Sequence, residues 1–259
     1  MTVEPGADRG CVLLIHGLWF RAGVWTPWLR ELSDAGYDAT VLGWRDRDQR
    51  PHPARAGEPD FGAVLRAARR AALAFRSPPI VIGHGVGGAV AERLLSESAA
   101  AAAISLAPPP GGRPAVPAAA RLLGRRTGFA LLGLRAAPVA PTFAQFRRGI
   151  ATLGGDADAR RLYDDYVGPA APRPVLLPAL RRRAGVRPGR GPLLLAAGGK
   201  DDLVSERSTA LLHRDYRRRQ PDAVTDYQVF PGLDHTLGLG TPSVTVLFYC
   251  LDWLTAQNM

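Results

Sequence analysis

Along the first 110 residues, short apolar runs alternate with stretches whose apolar positions recur at helical spacing. CVLLIHG (11–17) is an apolar run closed by glycine, the pattern of a strand buried on both faces. VWTPWLRELSDAGY (24–37) follows as a helix stopped at Gly36, and DATVLGW (38–44) as the next strand. A Pro-, Arg- and Gly-rich loop, Arg45 to Pro59, leads into FGAVLRAARRAALAF (61–75), a helix with an apolar stripe and an arginine face. PPIVIGHG (78–85) predicts a strand, VGGAVAERLLSESA (86–99) a helix, and AAAISLAPPP (101–110) a strand stopped by three prolines. This alternation predicts an α/β fold whose mostly parallel central sheet is covered by helices on both faces.

The rhythm breaks between Gly111 and about Gly191, where Pro and Arg are frequent. Helix-like pieces remain at AAARLLG (118–124), TFAQFRRGIATLG (142–154) and DADARRLYDDYV (156–167). Strand PLLLAAGGKDD (192–202), helix SERSTALLHRDYRRR (205–219), strand TDYQVFPG (225–232) and helix SVTVLFYCLDWLTAQ (243–257) then complete the pattern. The expected organisation is one core made of residues 1–110 and 191–259, with residues 111–190 inserted as a helical cap. There are no internal repeats, and Ala99 to Ala103 is the only low-complexity patch.

Composition adds bounds. A chain of 259 residues buries roughly three quarters of its unfolded surface, so its core needs no disulfide. Cys11 and Cys250 lie far apart in apolar segments and read as buried free thiols, which fits a reducing cytoplasm. MTVEPGADRG has no basic n-region and only five apolar residues follow it before His16, so no secretory signal is expected. No apolar run approaches the ~18 residues of a membrane span. The net charge of +10 raises the question of nucleic acid. Lys200 is the single lysine among 33 basic residues, however, an arginine bias that a GC-rich genome writes into any protein. The clusters Arg181–Arg183 and Arg217–Arg219 have no interleaved aromatics to stack bases. They read as solvated faces, with an acidic carrier protein the one macromolecular partner the charge would favour. The five histidines and two cysteines show no ligand spacing, so neither a metal nor another cofactor is expected.

Four stretches fall at the ends of predicted strands: HGLW (16–19), GHGVGG (83–88), GGKDD (198–202) and LDHT (233–236). Ligands bind at the carboxyl ends of strands in an open parallel sheet, so these four can converge. The order of elbow, acid and histidine is that of the α/β-hydrolases, whose nucleophile elbow reads G-x-S-x-G. The chain resembles that family over nearly its full length, most closely the bacterial members that open with HGLW and carry a helical cap. The resemblance implies an α/β-hydrolase fold, with Asp201 as the acid and His235 as the base. It also implies an oxyanion hole formed by the amides of Leu18 and Val86. Asp202 and Asp234 read as solvated neighbours, Asp202 being the fallback acid. His84 reads as a packing and hydrogen-bonding residue beneath the elbow. Trp19, Phe143 and Phe146 are the candidates for contact with a small, largely apolar substrate carrying a carbonyl, with Phe20, Trp25, Tyr163 and Tyr166 beside them.

The departure is Gly85, which stands where the family pattern has serine. Covalent acyl transfer needs a nucleophile there; proton transfer by His235 and stabilisation of an oxyanion do not. GHGVGG also matches G-x-G-x-x-G formally. It does not follow the first strand, though, and ISLAPPP stands where dinucleotide binding wants an acidic residue. Three functions stay open. The first is a cofactor-independent acid/base enzyme of bacterial secondary metabolism, catalysing elimination, cyclisation, isomerisation or direct water attack. The second is a serine ester, lactone or C–C hydrolase in which an engineered glycine replaces the serine at 85. The third is a catalytically dead hydrolase that binds a ligand.

Overall fold

The computed structural model describes residues 9–43, 60–109, 140–168, 188–241 and 244–259. Six strands form one sheet: β1 (Cys11–Ile15), β2 (Asp38–Leu42), β3 (Ile80–His84), β4 (Ala102–Leu106), β5 (Leu193–Gly198) and β6 (Thr225–Phe230). Their spatial order is β2-β1-β3-β4-β5-β6, and every neighbouring pair is parallel. The strands between the edges read as unbroken apolar runs because helices cover both their faces: β3, β4 and β5 are buried at every residue. The edge strand β2 keeps only exposed or half-buried positions.

The connecting helices follow from local chemistry. A 3-10 turn (Ala22–Trp25) runs into α1 (Thr26–Asp34), which has proline in its first turn. Trp25 and Trp28 pack edge to face with ring centres 5.0 Å apart, both fully buried, so Trp25 belongs to the core and not to a pocket. α2 (Phe61–Leu73) is capped by Asp60, whose carboxylate accepts the Ala63 amide at 2.6 Å. α3 (Val86–Ser96) is buried at almost every position because it lies against the middle of the sheet. Its buried Glu92 accepts hydrogen bonds from the Ser105 hydroxyl (2.8 Å) and the Tyr216 phenol (2.7 Å). Those bonds tie α3 to β4 and to the helix after β5. Cys11 and Cys250 are both free; Cys250 is buried as expected, whereas Cys11, the first residue of β1, is only half-buried.

Two helices lie in the described part of the β4–β5 connection, α4 (Phe143–Gly149) and α5 (Asp156–Tyr166). The helix expected over 142–154 therefore ends at Gly149. Ile150 leaves helical geometry at φ −122°, and Gly154 takes φ +75° in the following turn. The Arg147 guanidinium satisfies the carbonyls left over, donating to Ala151 O, Leu153 O and Gly154 O. The piece expected at 118–124 lies outside the described residues. After β5, α6 (Glu206–Arg219) begins at the Ser205 cap, and α7 (Thr245–Ala256) closes the chain.

Strand order reverses at β1. The chain steps from β1 outward to β2, then returns to place β3 on the other side of β1. A crevice therefore opens beyond the carboxyl ends of β1 and β3. No helix among the described residues is long and apolar enough to cross a membrane.

Candidate active site

The crevice is lined by the four stretches singled out above. The HGLW turn follows β1, the elbow follows β3, Asp201 follows β5 and His235 follows β6. The GHGVGG match thus sits on the third strand of the chain, not on the first as in dinucleotide-binding units.

The elbow owes its shape to its glycines. A Cβ on Gly83 would fall against the Gly87 carbonyl, and one on Gly87 against the Ile15 carbonyl, in both cases far inside van der Waals contact. β3, α3 and the end of β1 come together too closely there for any side chain. Gly85 differs. Its backbone, φ 54° and ψ −119°, turns the chain sharply from strand into helix. A Cβ built on it would meet nothing nearer than Gly17 Cα, 3.8 Å away. Position 85 is therefore shaped as an elbow, and among the described residues nothing fills the space above it. Helix α3 begins at Val86, so the Val86 amide is one of the helix's leading N–H groups that have no intrahelical acceptor. Positive potential at that helix end favours developing negative charge. Leu18 lies buried in the turn just after Gly17, on the β1 side of the same opening.

Asp201 and His235 meet as a pair. His235 Nδ1 donates to Asp201 Oδ2 at 2.8 Å, and the other oxygen, Oδ1, accepts the amides of Leu203 (2.8 Å) and Val204 (2.7 Å). A carboxylate held by three donors fixes the imidazole with its proton on Nδ1, which leaves the Nε2 lone pair available. Nε2 makes no hydrogen bond among the described residues. Burial pushes the His235 pKa down. The Asp201 charge and hydrogen bond, joined by the charge of Asp234, outweigh burial and leave it above the ordinary 6.5.

Behind the pair stands His84, fully buried. Its Nε2 donates to the His235 carbonyl at 2.8 Å, and its ring lies edge-on to that of His235 with centres 4.9 Å apart. Nδ1, without a hydrogen-bond partner, faces Gly17, where a Cβ would come within 2.7 Å of it. Burial, then the nearby His235, pushes the His84 pKa down to about 3, so this ring is neutral. It packs and orients, as its sequence position implied.

Asp202 is exposed, and Asp201 alone makes the histidine contact. Asp234 corrects the expectation of a solvated neighbour. It is buried, its Oδ1 accepting from the Thr236 amide (3.0 Å) and hydroxyl (2.7 Å) and its Oδ2 from the Leu153 amide (2.9 Å). The partner that buries it comes from the β4–β5 connection, which the sequence around LDHT gives no sign of.

That connection also grips the HGLW turn. The Trp19 carbonyl accepts the Gly168 amide and the Tyr166 carbonyl accepts the Arg21 amide, both at 2.9 Å, with Phe20 and Val167 bridged antiparallel between them. Trp19 and Phe146 are buried. Phe146 meets Phe20 edge to face at 6.4 Å, and Phe20 meets His84 at 5.5 Å, so a line of rings runs from α4 to the histidines. Phe143 packs on Tyr163 (5.7 Å) beneath the Arg160 guanidinium. Among the described residues no cluster of three or more His, Cys, Asp or Glu side chains is arranged to hold a metal ion.

A family model described as "Alpha/beta hydrolase family" matches residues 12–246. Among solved structures, the Paleococcus ferrophilus monoacylglycerol lipase is similar at a TM-score of 0.68 and 18% identity, over 97% of this chain and 96% of that one. The Arabidopsis methylesterase MES16 is similar at 0.63 and 17%, over 95% and 98% of the two chains. Tomato Methylketone Synthase I complexed with 2-tridecanone is similar at 0.65 and 14%, over 96% and 98%. At such identities the likeness establishes the fold alone. No curated protein sequence matches this one.

Proposed function

Because the chain belongs to the alpha/beta hydrolase family, yet carries glycine at the elbow, we propose that it is an acid/base enzyme working without a covalent intermediate. Its substrate is a small, largely apolar molecule with a carbonyl. The observation that carries this reading is the 2.8 Å hydrogen bond between His235 and Asp201, kept beside an elbow that has no side chain.

The chemistry follows from that arrangement. Nε2 of His235 removes a proton from the carbon next to the carbonyl, or from a water that attacks it, and later returns the proton. Asp201 holds the ring in the required tautomer and stabilises the imidazolium. Negative charge gathering on the carbonyl oxygen is met by the amides of Leu18 and Val86, each such donor contributing about 3–4 kcal/mol where it has been measured. The space open above Gly85 admits substrate or water to the imidazole. Elimination, cyclisation and isomerisation begin with the first of these proton transfers and direct water attack with the second, and a tailoring step of bacterial secondary metabolism is the natural setting for either. The β4–β5 connection serves as the cap, with Trp19, Phe143 and Phe146 supplying apolar contact. The tomato neighbour, bound to 2-tridecanone, shows this fold holding an apolar chain that carries a ketone.

The test is α-proton exchange. Methyl ketones of increasing chain length are incubated with the protein in deuterated buffer and followed by NMR. The proposal requires catalysed exchange that falls roughly 10²–10⁴-fold in His235→Gln. Exchange catalysed equally well by His235→Gln refutes it, as does the absence of both α-exchange and His235-dependent exchange of the carbonyl oxygen with 18O-labelled water.

A further inference from the structure

Asp234 touches neither the elbow nor the imidazole of His235 by any hydrogen bond, yet it is a buried carboxylate with every bond directed to a different task. One oxygen closes a turn on its own loop through the amide and hydroxyl of Thr236. The other reaches across to the Leu153 amide, the sole bond from the turn after α4 to the histidine loop among the described residues. That turn is itself fastened to α4 by Arg147, which donates to the carbonyls of Ala151, Leu153 and Gly154. A continuous polar path thus runs from Arg147 through the 151–154 turn to Asp234, whose next residue is His235.

Resting on the acid/base reading above, we infer that Asp234 is a positioning residue that couples the β4–β5 connection to His235, so that seating of α4 sets the placement and basicity of the imidazole. The physical case has two parts. Fixing the Asp234 carboxylate fixes the backbone on which His235 stands, and the His84 bond to the His235 carbonyl pins the same peptide from beneath. Holding a negative charge beside the loop also favours the protonated ring, adding to Asp201. Among the described residues, the charged or titratable groups facing His235 are then Asp201 through its hydrogen bond, Asp234 from the loop, and the neutral His84 ring at 4.9 Å. From the connection, Arg147 is the charge tied to this path, spent on carbonyls and on Asp156. If the turn after α4 lifts away, the Leu153 donor leaves and Asp234 is free to relax toward water. The base is therefore fully set only when the turn after α4 holds Asp234 through Leu153.

Two readings of ligand-free protein test this. The first is the titration of His235 by NMR in protein labelled at histidine Cε1, its signal assigned with His235→Gln. Asp234→Asn should lower the His235 pKa, and Asp234→Glu, which keeps the charge, should restore part of the drop. The second is deuterium uptake of the 150–155 segment by mass spectrometry, which should quicken in Asp234→Asn because the single oxygen of asparagine, held by the amide and hydroxyl of Thr236, leaves its NH2 facing the Leu153 amide. Where Asp234→Asn fails to fold, Thr236→Val removes the hydroxyl that steadies Oδ1 and accepts the Gly238 amide, and faster uptake in 150–155 is again expected. Unchanged titration in Asp234→Asn, or unchanged uptake in the variant that folds, overturns the coupling. A wild-type His235 that titrates at or below 6.5 sinks the Asp201–His235 reading itself; a raised wild-type value unmoved in Asp234→Asn sinks only the role of Asp234.

Discussion

Placing a serine at the elbow separates what the backbone supplies from what a nucleophilic side chain would add. In Gly85→Ser the new Cβ meets only Gly17 Cα, at 3.8 Å, an ordinary contact, so no steric penalty arises. What remains is the backbone, since φ 54° with ψ −119° is sparsely populated by residues with a side chain. Holding a residue there costs about 1–3 kcal/mol, a sizeable part of the roughly 5–15 kcal/mol that keeps a domain folded. For a chain of this size that corresponds to a drop of roughly 2–12 °C in Tm. The internal control is Gly87→Ser, where the Cβ would collide with the Ile15 and His16 carbonyls and backbone must move. Circular-dichroism melts should therefore show Gly85→Ser folded with a lowered Tm and Gly87→Ser not folded. Intact-mass detection of fluorophosphonate labelling then asks whether the new hydroxyl is activated. Labelling in Gly85→Ser that disappears when His235→Ala is added means that base and oxyanion hole stand ready around an empty nucleophile position. The reasoning fails if Gly87→Ser is tolerated as well as Gly85→Ser, or if folded Gly85→Ser neither labels nor hydrolyses p-nitrophenyl esters.

Further expectations concern the buried groups. His84, pushed down to about 3 in the folded protein, takes up a proton on unfolding anywhere between that value and 6.5. Its contribution to stability is complete above about pH 6.5 and falls as pH drops, by about 1.4 kcal/mol per unit. Urea denaturation at pH 6.5 and pH 5 should thus differ by about 2 kcal/mol on its account, a difference absent from His84→Gln. His235 has the opposite sign. Raised above 6.5, it stabilises fully at pH values below 6.5, and that share is lost as pH climbs through its folded value, so it adds little slope in the window chosen for His84. As a base it must be unprotonated, so catalysed exchange should rise with pH through a midpoint above 6.5, and that midpoint should move down in Asp201→Asn. Tyr216→Phe removes a 2.7 Å bond to the buried Glu92 carboxylate and should cost about 1.5–3 kcal/mol in urea denaturation, with no change in exchange activity. A loss below half a kcal/mol would mean the bond contributes nothing net.

The sheet is legible in the sequence because burial on both faces leaves a simple trace. β3 and β4 stand out as IVIGH and AAISL, unbroken by charge, and each is closed by a residue forced out of strand geometry, Gly85 and Ala107 at φ 54° and 44°. The acid and the histidine are legible for a different reason: topology fixes where they stand, each just past a strand end, whatever the surrounding residues. Asp234 escapes such reading. An aspartate beside a histidine in a turn looks like a solvent-facing residue, and what buries it is a backbone amide 81 residues earlier. The end of α4 is similarly hidden, because a helix that could run through Ile150 and Ala151 is stopped by a side chain, Arg147, that finds better use for its donors on the turn's carbonyls.

The shape of the elbow has a physical cause in the pentapeptide 83–87. Gly83 and Gly87 are required by packing: β3, α3 and the end of β1 approach too closely for a Cβ at either. Their loss would unfold the middle of the sheet whether or not position 85 does chemistry. Position 85 carries no such duty, because its Cβ site opens into the crevice. Glycine there even relieves the strain of the turn. The motif in G-x-S-x-G is thus two constraints superposed, a packing constraint on the outer glycines and a chemical one on the centre, and only the second can lapse without cost to the fold. The Asp201–His235 bond belongs to neither. A salt-bridged, nearly buried histidine is no better for stability than a well-packed apolar pair, so packing alone gives no reason to keep it. That bond, standing beside a glycine elbow, is the observation on which reading this site as one that moves protons rests.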